Sequence, residues 1–497
     1  MTDDRTNRVG SWLQDGCNEF PDEANDRTSG TVMLMHAGVD RPSRTSDSTV
    51  EVTRRTGSIS TVGATALGVG GMMGAGLYTL IGLAAKSAGS FVPVAFLIAG
   101  IAAMFSVYSY ARLGARFPSR GGAAEFLLEE FGDGVVCGSL NVFQFIGYLI
   151  ATSLYAAGFS EYVRALAGSG FPSWADHVVG AGVVLVFTLV NLAGSRLVGR
   201  AETVIVAVES AILTVFVALG AFKAEPSRLV HGGGDGLLGI VTASALLYVT
   251  YQGFGVVANA AGEMARPKTQ LPRAMFAALG IVAIVYLLVS TAVVGLVPLG
   301  TINADAGHVL ADAGRSVAGR IGFVVIAGAA LLATASAVNA TLFAASNIGY
   351  DAAAKQQLSR GLTRTVWRSG TVALLVSCVA VVVLVLFFPL SAVGQMTSLA
   401  FLLIYGAVSA GHLRIRAQTG ARAWPLIAAV VLNAVLFVVL LADAIRTGPA
   451  STWLALLGAI VGSVIFEGIY RRRTGAEPRS REHQRPQPRA PGDAHST

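Results

Sequence analysis

The chain has 497 residues, of which 53% are hydrophobic and only 13% charged, and its mean hydropathy is +0.62. A soluble domain carries about 25% charged residues, so this composition excludes an ordinary soluble fold and indicates a polytopic membrane protein. The net charge of +7 is no sign of a nucleic-acid partner, because most charges lie in short loops between apolar spans.

Residues 1–57 read as a disordered tail, rich in Asp, Arg, Ser and Thr and without a sustained apolar period. Twelve apolar spans follow, at roughly 61–86, 90–115, 134–163, 174–194, 201–222, 237–263, 273–298, 318–349, 370–388, 391–412, 424–444 and 451–470. An even count puts both tails on one side. Twenty Lys and Arg residues, among them Arg54, Arg112, Arg116, Arg266, Lys355 and Arg414, fall on that side. Seven lie opposite: Lys86, Arg164, Lys223, Arg228, Arg315, Arg320 and Arg446. The positive-inside rule makes the tail side cytoplasmic and the chain a multi-pass protein of the cytoplasmic membrane. Residues 471–497 form a second, Arg- and Pro-rich cytoplasmic tail. No cleavable signal peptide is expected, since the first apolar run is too long for one.

The first span, Thr61 to Ala85, carries no charge yet crowds Gly68, Gly70, Gly71, Gly74 and Gly76 into its middle. Each glycine costs about 1 kcal/mol relative to alanine in a helix interior, so the span is weakest at its midpoint and a broken helix is expected. Unpaired backbone at that depth is tolerated where it lines a cavity. The competing reading is close helix packing, since Gly70 and Gly74 also form a GxxxG pair. The sixth span is interrupted at Gln252, Gly253 and Gly255, flanked by Tyr248, Tyr251 and Phe254. Two interrupted helices at corresponding places in two five-helix halves point to an inverted-repeat transporter with its site between the repeats. The half-helix after Gly74 would offer free N–H groups to a carboxylate. The half-helix before Gln252 would offer free carbonyls to an ammonium. Together they would suit a zwitterion such as an α-amino acid.

Glu209 lies in the middle of the fifth span, where an ionisable group costs at least about 2.5 kcal/mol and is functional by default. It could carry a proton, help bind sodium or pair with a cationic substrate; the structural alternative is a buried acid held by helix partners. Glu263, ending the sixth span, reads as a cytoplasmic gate element. Thr334 and Ser336 fall near the middle of the eighth span, where hydroxyls either meet a coupling ion or bond back to the helix. Cys17, Cys137 and Cys378 make no disulfide framework or metal pair, and seven scattered histidines make no ligand cluster. No HExxH, P-loop or complete GxGxxG is present, so neither an enzyme nor a cofactor is expected.

Four stretches carry a family resemblance. GVGGMMGAGLYTLIG (68–82) resembles the glycine-rich first-helix signature of the amino acid–polyamine–organocation (APC) permeases. YSYARLGARFPSRGGAAEFL (108–127), VNLAGSRLVGRAETV (190–204) and YVTYQGFGVVANAAGEMARPKTQLPRAM (248–275) resemble their second-helix exit, fourth loop and sixth-helix signature. The resemblance spans roughly 58–470. It implies an all-α fold of about twelve helices with a leucine-transporter-like five-plus-five inverted repeat and broken helices 1 and 6. It maps the substrate carboxylate onto the backbone of Gly71, Met72, Met73, Gly74, Ala75 and Gly76. The amine maps onto Tyr248, Val249 and Tyr251, beside Gln252, Gly253 and Phe254, with Tyr251 as the aromatic that covers the substrate. Glu209, Thr334 and Ser336 are the candidate coupling residues. Glu209 stands where many members carry lysine, so a lysine-based coupling scheme does not transfer.

The expected function is secondary active transport of an amino acid by alternating access, coupled to protons in preference to sodium. Exchange of cationic amino acids or polyamines is the alternative. From another class, the chain could be an amino acid sensor that binds without transporting. The expected partners are a small-molecule substrate, a coupling ion and the lipid bilayer.

Overall fold

The computed structural model describes residues 59–474, apart from 120, 169, 194–197, 230, 231, 233, 305, 356 and 368–369. The two expected tails lie outside the described residues, except for 471–474, which complete the last helix. In chain order the helices are α1 (Thr61–Met73), α2 (Ala75–Ala88), α3 (Val92–Arg116), α4 (Ala123–Phe131), α5 (Val135–Ala167), α6 (Ser173–Ala193), α7 (Val198–Ala221) and α8 (Gly236–Leu247). Then come α9 (Phe254–Asn259), α10 (Pro267–Leu296), α11 (Leu299–Ala304), α12 (Val309–Ala354), α13 (Val372–Phe387), α14 (Leu390–Thr419), α15 (Ala423–Thr447) and α16 (Ala450–Thr474).

Ten helical stretches are long and apolar enough to cross a membrane, with α1 and α13 as shorter apolar helices. One stretch, Ala75–Arg116, is α2 and α3 joined through a 3-10 turn at Gly89–Phe91. Counting α1 with α2 and α8 with α9, the twelve expected spans are all present among the described residues. The chain is an all-α polytopic membrane protein, with one small addition that the hydropathy pattern did not show. Thr365–Trp367 (β1) and Gly370–Thr371 (β2) pair antiparallel, Thr365 opposite Thr371 and Trp367 opposite Gly370. α12 runs for 46 residues but kinks at Ala318 and Gly319, where Gly319 takes φ +62°, close to the expected start of the eighth span.

The first span breaks where its glycines are densest. α1 starts on Ser60, whose hydroxyl accepts the Gly63 N–H at 3.1 Å, and ends at Met73. Gly74 alone leaves the helical region, at φ −54° and ψ −153°, and α2 resumes at Ala75. The sixth span is interrupted in another way. After α8 the chain tightens into a 3-10 helix over Tyr248–Tyr251, turns through Gln252 and Gly253, and resumes as α9. Its dihedrals stay right-handed helical throughout, with Gln252 at −60°, −20° and Gly253 at −59°, −12°. The α-ladder is broken, but the direction of the chain is kept.

The two interruptions meet on glycine. A Cβ at Gly253 would fall 2.1 Å from the Gly71 carbonyl carbon, so the backbones touch where a side chain has no room. Close packing thus occurs beside the break, but at Gly71, whereas Gly74 of the GxxxG pair makes only ordinary contacts. Tyr286 of α10 completes the joint: its hydroxyl donates to Met72 O, a carbonyl left over at the end of α1, and lies 3.1 Å from Thr250 O in the 3-10 turn. A second joint lies lower on the same spans. Ile59 pairs in a parallel bridge with Met264, and its N–H reaches Glu263 O at 3.4 Å.

Three outcomes follow for thermal stability in detergent. Gly253→Ala should lower the apparent melting temperature sharply, because the added methyl meets backbone that cannot move aside. Gly280→Ala, inside α10 with nothing within 4 Å of the added carbon, should keep or slightly raise it, as alanine is the better helix former. Tyr286→Phe removes the hydroxyl that serves two buried carbonyls and should cost about 1–3 kcal/mol.

Candidate functional site

A cavity of about 570 Å³ opens at the joint between the two interrupted spans. Its deep end is lined by Gly70, Gly71 and Met72 of α1, by Gly74, and by Ala75 and Gly76 of α2. Facing these are Tyr155 of α5, Glu209 of α7, Gln252, Gly253, and Ser336 of α12. From there the lining takes in Asn141, Gln144, Asn339 and the buried Gln357 and reaches the part-exposed Glu263, Asp351 and Lys355, which mark its mouth.

The deep end has an electropositive side. α2 begins on a glycine, which has no side chain to cap the helix, and no side-chain cap bond is present. The first N–H groups of a helix have no partner within it, and here those of Ala75 and Gly76 belong to residues of the cavity wall. The helix dipole adds about half a positive charge at this point.

The opposite side is electronegative, and its atoms belong to side chains. Glu209 is only 3% exposed, and its Oε1 has no hydrogen-bond partner. Tyr78 of α2 faces it closely enough for the two groups to interact, while the Tyr78 hydroxyl also lacks a well-formed hydrogen bond. Gln252 donates from Nε2 to Tyr155 Oη at 2.8 Å, which leaves its Oε1 unpartnered. Asn141 Oδ1 and Gln144 Oε1 are in the same condition. The lining holds three carboxylates, Glu209, Glu263 and Asp351, and one cation, Lys355, which is tied to Glu125 at 3.0 Å.

Several expected contacts fall elsewhere. Tyr248, Val249, Tyr251 and Phe254 are buried but do not line the cavity. The Tyr251 hydroxyl donates to Phe96 O of α3 at 3.0 Å, and its ring lies against Gly100, so it does not cover this cavity. The 3-10 winding explains the shift, since it turns each residue about 20° further than an α-helix and rotates the side chains away from the expected face. Three carbonyls in and just after this turn are engaged: Val249 O accepts from Gln252 N, Thr250 O lies beside Tyr286 Oη, and Gln252 O accepts from Tyr405 Oη at 3.0 Å. Met73 is buried outside the lining, with its sulfur 3.9 Å from the Ser210 hydroxyl. Thr334 is fully buried and donates back to Ala330 O at 2.7 Å, which is the helix-bonding alternative, whereas Ser336 reaches the cavity.

The residues missed from the sequence are chiefly aromatic. Tyr155 and Tyr405 hold the two ends of Gln252, and Tyr148 and Phe401 continue the wall. Tyr110 of α3 stands edge-on to Phe126, Phe254 and Tyr405, with ring centroids 5.2–5.5 Å away. Nothing in the apolar spans marks these rings apart from packing aromatics. Asn141 and Asn339 join neighbouring segments: Asn141 Nδ2 donates to Gln357 Oε1, just beyond α12, at 3.0 Å, and Asn339 Oδ1 accepts from Asn191 at 2.8 Å. Among the described residues no group of three or more His, Cys, Asp or Glu side chains could hold a metal ion.

Comparison with known proteins identifies the family. The profile of the amino acid permease family matches residues 59–466. An uncharacterised protein of Methanocaldococcus jannaschii is 32% identical over 83% of this chain and 94% of its own length. The inner membrane transport protein YbaT of Escherichia coli is 30% identical over 70% of this chain and 82% of its own. Cationic amino acid transporter 4 of Mus musculus is 29% identical over 72% and 60%. With a family match over most of its length and both interrupted spans in place, the chain belongs to the amino acid permease family of the APC superfamily.

Proposed function

We propose that this permease is a secondary active transporter that moves an amino acid across the cytoplasmic membrane by alternating access, with a proton carried on Glu209. The reading rests on one observation above the rest: the uncapped start of α2 and the partnerless Glu209 Oε1 face one cavity across the joint of the two interrupted spans. The helix end suits a carboxylate. Glu209, Gln252 and Gln144 supply acceptor oxygens for an ammonium, in place of the backbone carbonyls expected from the resemblance. A carboxylate buried without a cation is costly, so Glu209 binds either a proton or a cationic group when the site is closed. The cavity runs out at Asp351 and Lys355, the basic side of the bundle. With the positive-inside rule this supports reading the state as inward-facing and both termini as cytoplasmic.

A second reading has support of its own. The lining carries three carboxylates against one paired lysine, and two relatives from mouse and human carry the name cationic amino acid transporter 4. A cargo with a cationic side chain would neutralise Glu209 directly, and the protein would then work as an exchanger of cationic amino acids or polyamines.

Uptake into proteoliposomes across an amino acid panel, with proton and sodium gradients imposed separately, tests both. On the symport reading a proton gradient drives neutral amino acid uptake, and Glu209→Gln keeps counterflow exchange while losing the response to the gradient. On the exchange reading uptake is confined to cationic substrates. Glu209→Gln then weakens their binding about 10- to 100-fold, the loss of one charge-assisted hydrogen bond. Ligand binding without accumulation in sealed vesicles would overturn both.

A further inference from the structure

The strongest unexplained group outside the cavity is a carboxyl on α4. This nine-residue helix joins the second span to the third at the end of the bundle where the cavity opens. One side of it forms the mouth, where Ala123 and Ala124 line the cavity and Glu125 holds Lys355. The other side packs on α14, and there Glu130 is 2% exposed with neither carboxyl oxygen hydrogen-bonded. The fit is close: a Cβ at Gly411 of α14 would fall 2.4 Å from Glu130 Oε2.

Among the described residues no cation is paired with it from any of the packed elements. From α3, Tyr110 comes close enough to interact, and its hydroxyl is likewise buried without a partner. From α14, His412 is held through both ring nitrogens, 2.9 Å from Ser109 Oγ and 2.8 Å from Thr419 Oγ1, and Arg414 lies over the Phe131 ring. Beside the start of α5, Asp133 is paired with Arg471 at 2.5 Å. On α4 itself Glu129 adds a further acid. Burial alone pushes the Glu130 carboxyl well above the usual carboxylate range.

We propose that Glu130 is a proton-binding site of this permease, filled while α4 is docked on α14 and emptied when α4 lifts. The proton comes from water at the mouth and returns there; docking converts a hydrated carboxylate into a buried carboxylic acid. The site lies outside the cavity lining and is separate from Glu209. It connects to the sixth span through Tyr110, which touches Phe254 and Tyr405, and Tyr405 in turn bonds Gln252 O. Proton affinity at Glu130 is thereby linked to the position of the wall that closes the mouth. The site stands on packing alone, whereas its effect on flux rests on the transport reading above.

The test is infrared titration of the full chain in lipid across about pH 5 to 9, with apparent melting temperature measured alongside. Wild type should show a protonated-carboxyl band near neutral pH. One component of it should vanish in Glu130→Gln and persist in Glu209→Gln. The folded protein holds a proton that the unfolded chain has released, so stability falls as pH rises between the ordinary and the raised value. In that window the folding equilibrium weakens up to about tenfold per pH unit, and Glu130→Gln should flatten the slope. If Glu130→Gln fails to fold, Glu130→Asp and Gly411→Ala should each displace the same band. A band unchanged in all three variants, or parallel melting profiles, overturns the proposal. A band that behaves as expected while flux keeps its wild-type pH profile in Glu130→Gln confirms the proton site and overturns its link to transport.

Discussion

Backbone polar groups cannot be left bare in hydrocarbon, and the whole site depends on how this chain breaks two helices without violating that constraint. Gly71 and Gly253 let the two broken places touch, so each shields the other from lipid. Carbonyls released by the breaks are taken up by hydroxyls from neighbouring spans, Tyr286 for Met72 and Thr250 and Tyr405 for Gln252. Among the described residues no side chain caps the N–H groups at the start of α2. The asymmetry is chemically informative: the protein has spent its hydroxyls on the acceptors and left donors open toward the cavity. An anion is what such a surface lacks.

The same logic explains why the electronegative half of the cavity is made of side chains. With Val249 O, Thr250 O and Gln252 O of the sixth span bonded within the protein, the acceptor oxygens that face the cavity are those of Glu209 and of amides anchored by their other ends. Gln252 shows the arrangement clearly. Tyr155 fixes its Nε2 and Tyr405 fixes its carbonyl oxygen, so Oε1 is held in place with little freedom to lose on binding.

Much of this was legible in the sequence because it rests on residues that are expensive where they stand. Five glycines in a spanning helix, and one glutamate within another, announce themselves by cost; the break came at Gly74 and Glu209 came to the cavity. Twelve spans could be counted because apolar length is a one-dimensional property. What escaped was rotation. Whether a tyrosine faces a cavity or a neighbouring helix depends on the winding of its own segment and the placement of others. Tyr251 turned toward Phe96 through a few residues of 3-10 helix, while Tyr155, Tyr286 and Tyr405 took roles that no local pattern distinguishes from packing. The short hairpin at Thr365–Thr371 escaped for a related reason, being too brief to show a strand period.

The bridge between Ile59 and Met264 also bears on how the two interrupted spans move. It clips the beginning of the first span to the end of the sixth, just beyond Glu263 at the mouth. Because the clip is made of main chain, it does not depend on which side chains stand there. The two inner half-helices are therefore tied at one end by this clip and at the other by the glycine contact, which leaves little room to displace one without the other.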